Sequence, residues 1–246
     1  MSILITGGTK GIGLAIATAF APTAGDVLLN YHGDDAAAGV AARQVAAAGG
    51  RAHLAKLDVG TPEGCAELAA WAGGIVGRID LLVHCAVDAY ATTTLDADPH
   101  RFARAVTTNG TSLLFLVQSL LTLLGQGSSV VFLTSRGGRI VVPKYAAVGV
   151  AKALAESLVR YLAVELAPKG IRINCVAPSI VETDAVRALF GAQSGALVQH
   201  AAEHNPSGRG VHADDYTGVI RFLASPAAEF IQGQVIYVNG GANLSA

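Results

Sequence analysis

Charged residues are scarce in this chain, and neither sign is in excess. They make up 14% of the 246 residues, with 17 basic and 18 acidic side chains and a net charge of −1. A protein whose main partner is nucleic acid or an anionic membrane surface carries clustered basic charge, because that charge supplies much of the attraction. We therefore expect neither nucleic acid nor a membrane as partner.

Cysteine is equally scarce. Cys65, Cys85 and Cys175 are odd in number, lie far apart in the sequence and have apolar neighbours. They have neither the even count of a disulfide framework nor the short spacing of metal ligands. Such thiols are typical of reduced, packed side chains in the cytoplasm. The sequence therefore predicts a cytoplasmic protein without a metal site.

Long apolar runs are absent, although 52% of the residues are apolar. The longest runs are too short or too interrupted to span a bilayer, and we expect no signal peptide before the first run, which starts at Ile3. The chain is long enough to bury a sizeable core. Because so little charge remains for the surface, we also expect contacts between subunits.

The chain does contain a regular alternation of short apolar runs and longer helical patterns. A strand that is apolar throughout is covered on both faces, and strand–helix alternation gives parallel strands with right-handed crossovers. The pattern predicts one α/β domain over 1–246, a Rossmann-type doubly wound parallel sheet with helices on both faces and ligands at the carboxyl ends of the strands. The predicted strands are 2–6, 26–31, 51–59, 79–85, 128–135, 171–178 and 233–238. The predicted helices are 11–21, 34–48, 62–76, 99–124, 145–167 and 213–224, with a mixed region over 183–212.

The segment TGGTKGIG, residues 6–13, lies between the first strand and the first helix. Gly7, Gly11 and Gly13 allow the backbone to come close to a diphosphate, and the following helix offers free N–H groups and the positive end of its dipole. A glycine cluster alone is weak evidence, since many are only tight turns. The strand before it and the helix after it strengthen the interpretation as a dinucleotide site.

A tyrosine and a lysine on one predicted helix form a second candidate site. In YAAVGVAK, Tyr145 and Lys152 are seven residues apart, so they face the same way with about 10.5 Å of rise between them. A nearby ammonium would make the tyrosine hydroxyl a better acid–base group. A packed aromatic residue beside a surface charge is the alternative. Gly149 costs about 1 kcal/mol in a helix, and either a close ligand or tight packing would explain it.

These motifs resemble the short-chain dehydrogenase/reductase family over nearly the whole chain. The loop is similar to its T-G-x-x-x-G-x-G segment, Asp58-Val59 to its adenine-contacting pair, Asn109 to its active-site asparagine, and PSIVET (178–183) to its P-G-x-x-x-T segment, with Ser179 as a departure. The resemblance implies a nicotinamide dinucleotide. The residues it places at the cofactor are Gly7, Thr9, Lys10, Gly11, Ile12, Gly13, Asn30, Tyr31, Asp58, Val59, Cys85, Ala86, Lys152, Pro178, Val181 and Thr183.

The end of the second strand favours NADPH over NADH. An enzyme for NAD usually places an acid there to bind the ribose 2′-hydroxyl, whereas this strand ends in Asn30-Tyr31. Lys10, within the glycine loop, would face a 2′-phosphate, and a solvated loop lysine is the alternative. Asp34 or Asp35 facing the ribose would reverse the preference.

The seven-residue spacing is typical of one branch of the family. Most members have the lysine four residues after the tyrosine, whereas Tyr-x6-Lys resembles the enoyl-acyl-carrier-protein reductases. The chain is most similar to the NADPH-dependent enoyl reductase III type, which has a serine ten residues before the tyrosine, here Ser135. The usual Asn-Asn-Ala-Gly after strand four is His84-Cys85-Ala86-Val87. We expect His84 to be a hydrogen-bonded structural residue rather than a proton relay.

The resemblance implies hydride transfer from NADPH to the β-carbon of a 2-enoyl thioester on acyl carrier protein or coenzyme A, in fatty-acid or polyketide metabolism. Tyr145 would stabilise the enolate oxygen and Lys152 would hold the nicotinamide ribose. Ser135 would assist at the carbonyl or shape the pocket, and Asn109 would hold water or backbone. The 183–212 segment would cover the substrate as a mobile lid.

Two other functions remain open at this point. One is an NADPH-dependent ketoreductase of 3-oxoacyl thioesters or polyketides, which the fold alone does not separate from an enoyl reductase. The other is a non-catalytic NADPH-binding protein.

The resemblance further implies a homotetramer with the helices 99–124 and 145–167 at the interface. Three cations between Ser135 and Tyr145 either attract a carrier phosphate or acidic carrier protein, or form an ordinary solvated loop; they are Arg136, Arg139 and Lys144.

Overall fold

The seven predicted strands form one parallel sheet in the order β3-β2-β1-β4-β5-β6-β7. The structure, a computed structural model, describes residues 1–242, so the last four residues of the predicted domain 1–246 lie outside it. The strands are β1 Ser2–Thr6, β2 Asp26–Tyr31, β3 Arg51–Lys56, β4 Leu81–His84, β5 Ser129–Leu133, β6 Arg172–Pro178 and β7 Val235–Val238. Strand order reverses between β1 and β4, the crevice where doubly wound sheets bind ligands.

Helices cover both faces of this sheet. Several begin at a side chain that accepts a hydrogen bond from the first turn, as Asp34 does from Ala37 and Thr183 does from Val186. In residues 1–242 they are α1 Gly11–Phe20, α2 Asp35–Ala47, α3 Pro62–Gly73, α4 Pro99–Val106, α5 Ser112–Leu120, α6 Ala146–Leu166, α7 Asp184–Phe190, α8 Ser194–Glu203 and α9 Ala213–Ala224. The predicted α/β doubly wound fold is confirmed.

Two apolar cores explain why the strands are apolar along their whole length. One core packs Leu4 and Leu28 of the sheet against α3, α5 and α6, while the other packs Ile3 and Ile5 against α1, α2 and α9. Successive side chains of a strand point to opposite faces, so each strand supplies both cores. Polar chemistry is therefore left to the strand ends.

The predicted long helix over 99–124 is wrong in its middle and at its end. Helix α4 stops at Val106, a π turn covers Thr107–Thr111, and α5 ends at Leu120. In the π turn the Ser112 N–H donates to the Thr107 carbonyl five residues earlier rather than four. Hydrophobic periodicity does not reveal such a one-residue insertion.

Several strands are shorter than the apolar runs that predicted them. Strand β3 ends at Lys56 rather than at residue 59, because its partner β2 ends at Tyr31 and the pairing stops there. The mixed region 183–212 contains α7 and α8. Within the described range 1–242, helices of sufficient length and apolar character to cross a membrane are not found.

Candidate active site

The glycine loop lies at the carboxyl end of β1, against the end of β4. Gly7 has a left-handed backbone (φ +62°), and a Cβ on it would lie 2.9 Å from the Ala86 Cα. The Thr6 hydroxyl accepts hydrogen bonds from the N–H groups of Cys85 (3.2 Å) and Ala86 (3.3 Å). The loop then opens α1 at Gly11. This arrangement of close backbone and a free helix N-terminus fits the diphosphate of a dinucleotide.

Lys10 and Thr183 connect this loop to the start of α7. The Lys10 ammonium is paired with Asp34 and lies 3.3 Å from Asp184. The hydrogen bond with Asp34 is the main cause that raises the pKa of Lys10. The Thr183 methyl group packs on Gly11. The loop, α2 and α7 together line a cleft of about 380 Å³.

The second acid after β2 is also paired with a lysine. Asp35 accepts a hydrogen bond from the Tyr31 hydroxyl (2.8 Å) and one from the Lys56 ammonium (2.6 Å). Both acids that would oppose a 2′-phosphate are therefore accompanied by a basic side chain. Tyr31 itself closes the end of β2.

The side chain of Asn30, a residue expected at the cofactor, is bonded to the backbone of the next strand. Its side chain is buried, and its amide donates to the carbonyls of Ala55 (3.3 Å) and Leu57 (2.9 Å). A polar group buried beside backbone carbonyls is satisfied by them first. Asn30 thus fastens β2 to the end of β3.

The two residues of the Asp58-Val59 pair beyond β3 lie in different surroundings: the Val59 side chain is buried, and the Asp58 carboxylate makes hydrogen bonds. Val59 is buried in the first core, so only its backbone faces the strand ends. The Asp58 carboxylate accepts from the Gly60 N–H (2.9 Å) and from Arg104 (3.3 Å).

On the other side of the site Pro178 ends β6, and Val181 packs on the second core. Ile12 lies in the first turn of α1, also against that core.

Tyr145 stands at the N-terminal end of α6 and is half-buried. The preceding residue, Lys144, has φ +59°, and its carbonyl accepts from the Thr92 N–H (3.1 Å). The Phe190 ring of α7 stacks on Tyr145 with centroids 6.5 Å apart and planes 6° from parallel. Burial raises the pKa of Tyr145, and the neighbouring Ser135 hydroxyl opposes this in part. The hydroxyl is therefore protonated at neutral pH.

Gly149 is explained by packing within the site. A Cβ on it would lie 2.6 Å from the Gly137 carbonyl oxygen, and a Cβ on Gly137 would lie 2.6 Å from the Tyr145 ring. The short turn after β5 therefore fits between the tyrosine and its own helix only because both positions are glycine. The Ser135 hydroxyl accepts from the Gly137 N–H (3.2 Å), which fixes the start of that turn.

Lys152 lies under the sheet end rather than on the surface. Its ammonium donates to the Leu133 carbonyl (2.7 Å) and lies 4.4 Å from the Phe132 ring centroid. The side chain is 6% exposed. Burial lowers the pKa of Lys152 to about 8. The surface-charge alternative for this lysine is therefore wrong.

Glu156, one turn beyond Lys152, is a buried charge that sequence reasoning missed. Its carboxylate accepts from the Thr134 hydroxyl (2.8 Å) and from Arg139 (3.1 Å). An acid four residues after the lysine, on the same helix face, was the available signal. All three cations before Tyr145 are exposed, and Arg139 is the one whose side chain is paired with the helix through Glu156.

Asn109 lies in the π turn and is completely buried. Its side-chain oxygen accepts from the Asp88 N–H (2.8 Å), and its amide donates to the Asp88 carbonyl (2.9 Å). It therefore holds backbone, one of its two expected roles.

His84 is also buried and makes hydrogen bonds through both ring nitrogens, as expected of a structural residue.

The structure brings these residues to one edge of the sheet. The glycine loop, Ala86, Thr183 and the pair Tyr145 and Lys152 all lie beyond the carboxyl ends of β1, β4, β5 and β6. Clusters of three or more potential metal-binding side chains are not found in residues 1–242. The arrangement suits a bound dinucleotide with a tyrosine hydroxyl beside it.

Comparisons with known proteins agree with this geometry. A family model described as Enoyl-(Acyl carrier protein) reductase matches residues 7–243. The 1-cyclohexenylcarbonyl-CoA reductase of Streptomyces collinus is 31% identical over 243 residues, which are 99% of this chain and 87% of that protein. The solved enoyl-[acyl-carrier-protein] reductase (NADH) of Aquifex aeolicus VF5 is similar with a TM-score of 0.89 and 28% identity, covering 100% of this chain and 97% of the other.

A second solved structure bears on the cofactor. A short chain dehydrogenase from Burkholderia cenocepacia J2315 in complex with NADP has a TM-score of 0.87 and 25% identity, covering 99% of this chain and 97% of the other. The chain belongs to the short-chain dehydrogenase/reductase superfamily, in the family related to enoyl reductases, and is an oxidoreductase with a nicotinamide cofactor.

Proposed function

We propose that this protein is an NADPH-dependent reductase of 2-enoyl thioesters. The observation that carries the proposal is the placement of Tyr145 and Lys152 on α6, seven residues apart: the tyrosine ring faces α7 and the lysine is buried against the end of β5. The similarity to a 1-cyclohexenylcarbonyl-CoA reductase supports a thioester of coenzyme A or of acyl carrier protein as substrate.

Tyr145 has the properties of a donor to a developing oxyanion. A bound NADPH would supply the hydride for the β-carbon, negative charge would grow on the thioester oxygen, and a proton from water would then complete the reduction at the α-carbon. Because the pKa of Tyr145 is raised, its hydroxyl keeps its proton and donates a hydrogen bond to that oxygen. Ser135, beside it, orients the tyrosine. Lys152 would hold the nicotinamide ribose from beneath and bias the site with its positive charge.

Lys10 supports the choice of NADPH. It is the basic residue of the glycine loop, and a 2′-phosphate would replace one of the carboxylates, Asp34 or Asp184, that now pair with it. An anion with two negative charges competes well for an exposed ammonium. The absence of an acid at the last position of β2 agrees with this choice.

The α7–α8 segment, within residues 183–212, would cover an apolar acyl chain. Phe190 stacks on Tyr145 from this segment, and Leu189 is buried beneath it. An acyl chain entering the site would displace Phe190 from the tyrosine ring. The segment would then act as a lid that excludes water during hydride transfer.

Exposed apolar side chains on α6 support an assembly of several subunits. Tyr161 and Val164 are 70% and 74% exposed. We propose that they contact other subunits in a cytoplasmic homotetramer. The metabolic setting that fits a reductase of enoyl thioesters is fatty-acid or polyketide synthesis.

The first experiment compares NADPH oxidation with a trans-2-enoyl thioester and with a 3-oxoacyl thioester of equal length. We expect rapid oxidation with the enoyl substrate alone. Activity with the ketone alone would instead establish a ketoreductase, and activity with neither would favour a non-catalytic protein. All three outcomes are distinguishable in one absorbance assay.

A matched pair of variants tests the role of Tyr145. Tyr145→Phe removes the hydroxyl and should lower kcat by about 10²- to 10³-fold, as loss of one oxyanion donor does, while NADPH binding is unchanged. Tyr161→Phe removes a hydroxyl far from the site on the same helix but keeps the ring that is proposed to contact another subunit, so it should leave kcat unchanged. Normal turnover by Tyr145→Phe would show that the assignment is wrong.

A further inference from the structure

We infer that His84 and Ser112 form a buried hydrogen-bonded link, and that this link positions the π turn that carries Asn109. His84 ends β4 and Ser112 begins α5, and both are completely buried. The His84 Nε2 atom lies 2.7 Å from the Ser112 hydroxyl. Neither residue faces the proposed substrate, so the link would act through the turn rather than on the reacting atoms.

The hydrogen bonds around His84 determine its tautomer. The Thr6 hydroxyl accepts from the N–H groups of Cys85 and Ala86, so its own proton points to His84 Nδ1, 2.6 Å away. Nδ1 is therefore an acceptor, and Nε2 carries the ring proton. Nε2 donates to the Ser112 hydroxyl, leaving the serine proton free to be donated onward.

The serine proton goes to the π turn. The Ser112 hydroxyl donates to the Thr108 carbonyl (2.8 Å), which lies four residues earlier. In an α-helix that carbonyl would receive the Ser112 N–H, but here the N–H donates to Thr107 instead. The hydroxyl thus satisfies the carbonyl that the π turn releases. A chain of three hydrogen bonds, all donating in the same direction, connects Thr6 at the end of β1 to this turn.

Two parts of the site depend on where the turn lies. Asn109 binds both backbone groups of Asp88, which positions the loop after β4. Gly110 lies against α6, since a Cβ on it would be 2.7 Å from the Ala151 carbonyl. Ala151 is next to Lys152 in sequence. A shift of the turn would therefore move both the loop after β4 and helix α6, which carries Lys152.

The link is permanent at physiological pH. Burial, with a smaller contribution from the Lys152 ammonium, lowers the pKa of His84 to about 3. The ring is therefore neutral whenever the protein is active, and the direction of the hydrogen bonds does not reverse. A proton relay through this histidine would need the charged form, which the site disfavours.

Three serine variants of the full-length protein test the link. Ser112→Ala removes the hydroxyl, Ser112→Thr keeps it, and Ser128→Ala is the matched control. Ser128 is equally buried and makes two hydrogen bonds, but at the opposite end of β5. Hydrogen–deuterium exchange, NADPH affinity and kcat with the enoyl thioester are measured for each variant, well below its unfolding temperature.

We expect Ser112→Ala to speed exchange in peptides covering 85–92 and 105–113 and to lower kcat by ~10- to 100-fold, since misplaced catalytic groups cost this much. Ser112→Thr should restore both, and Ser128→Ala should change neither. If Ser112→Ala loses only thermal stability while exchange in those peptides and kcat stay normal, the positioning role is refuted.

The kcat and NADPH-affinity readouts rest on the proposed function, whereas the exchange readout does not. A wild-type protein that does not reduce the enoyl thioester would refute that function, whereas the exchange comparison would still decide on the link. Ring ¹⁵N shifts of histidine-labelled protein give a third readout, with the His84 signal identified by its loss in His84→Asn. A protonated Nδ1, or titration of His84 between pH 5 and 8, would overturn the hydrogen-bond order derived above.

Discussion

At the scale of single residues, burial decides the chemistry of the two basic groups near the site. Lys152 and His84 are both enclosed by the ends of β4 and β5. Desolvation disfavours the charged form of each, which lowers the pKa of both groups. The lysine still carries its charge at neutral pH, because its pKa starts much higher. The histidine does not.

The pH dependence of catalysis should report Lys152. The pKa of about 8 lies below the ordinary 10.5, so the free protein loses the ammonium as pH rises through 8. We expect kcat/KM for NADPH to fall above pH 8, since this parameter reports groups of the free enzyme. The pKa of Tyr145 is raised and does not produce this limb.

Lys152→Arg is the control for that profile. Arginine stays protonated over the whole accessible range, so the limb should disappear even if activity is lower. A wild-type profile that is flat from pH 7 to 9.5 would contradict the assignment.

The acid stability of the protein should report His84. Its pKa is lowered from 6.5 to about 3, so the unfolded chain takes up the proton first as pH falls. The free energy of unfolding should therefore decrease below pH 6.5, by about 2 kcal/mol at pH 5 from this residue. Urea unfolding at pH 7 and 5, at fixed protein concentration, measures the change.

His84→Asn separates this contribution from that of the carboxylates. The variant should be less stable than wild type at pH 7 because the bond to Ser112 is lost, yet it should lose less on going to pH 5. An equal loss in both proteins would show that His84 is protonated in the folded state.

At the scale of elements, α6 carries the site because small residues let its neighbours approach. Gly149 allows the turn after β5 to come close, and Gly110 of the π turn, which has no side chain, lies against the Ala151 backbone of α6. Both contacts, at Gly149 and at Ala151, lie within three residues of Lys152 on α6. Helix propensity is given up at one position so that the tyrosine, the turn and the lysine pack together.

A pair of glycine substitutions tests this packing. Gly149→Ala brings a methyl group to 2.6 Å from the Gly137 carbonyl, so we expect a loss of ~1–3 kcal/mol in unfolding free energy together with lower kcat. In Gly218→Ala, on α9, the methyl group meets nothing within 4 Å. That variant should gain about 1 kcal/mol with unchanged kcat, and stability measured by urea unfolding distinguishes the two. A stable, fully active Gly149→Ala protein would contradict the close approach.

At the scale of the whole molecule, one lysine joins three segments that are distant in sequence. Lys10 of the glycine loop pairs with Asp34 before α2 and with Asp184 at the start of α7. The cofactor loop and the proposed lid therefore share a contact. A ligand that engages Lys10 changes the environment of both.

Lys10 variants should change the choice of cofactor. Lys10→Ala should weaken NADPH binding ~10-fold or more, since a charge-assisted hydrogen bond is lost, while NADH binding changes little. Asp184→Asn should tighten NADPH binding, because one carboxylate that repels the 2′-phosphate is removed. Fluorescence titration of both cofactors measures this. Equal effects of Lys10→Ala on both cofactors would place the 2′-phosphate elsewhere.

The sequence by itself determined the fold class and named most residues of the candidate site. Strand and helix periodicity, together with the TGGTKGIG loop, sufficed for the doubly wound sheet, because burial on both faces leaves a direct mark on composition. Tyr145 and Lys152 were visible because helical spacing alone places them on one face. The expectation that His84 is hydrogen-bonded followed from its position at a strand end.

Only the tertiary structure decided which polar side chains are bonded to the backbone and which remain at the candidate site. Asn30 had the right position for a cofactor contact, but its amide is satisfied by the β3 backbone. The π turn at Asn109 and the packing against Gly149 could not be read from the sequence, and neither could the hydrogen-bond partners of Glu156. Each depends on which atoms of distant segments come within hydrogen-bonding or van der Waals distance, and local periodicity carries no information about those distances.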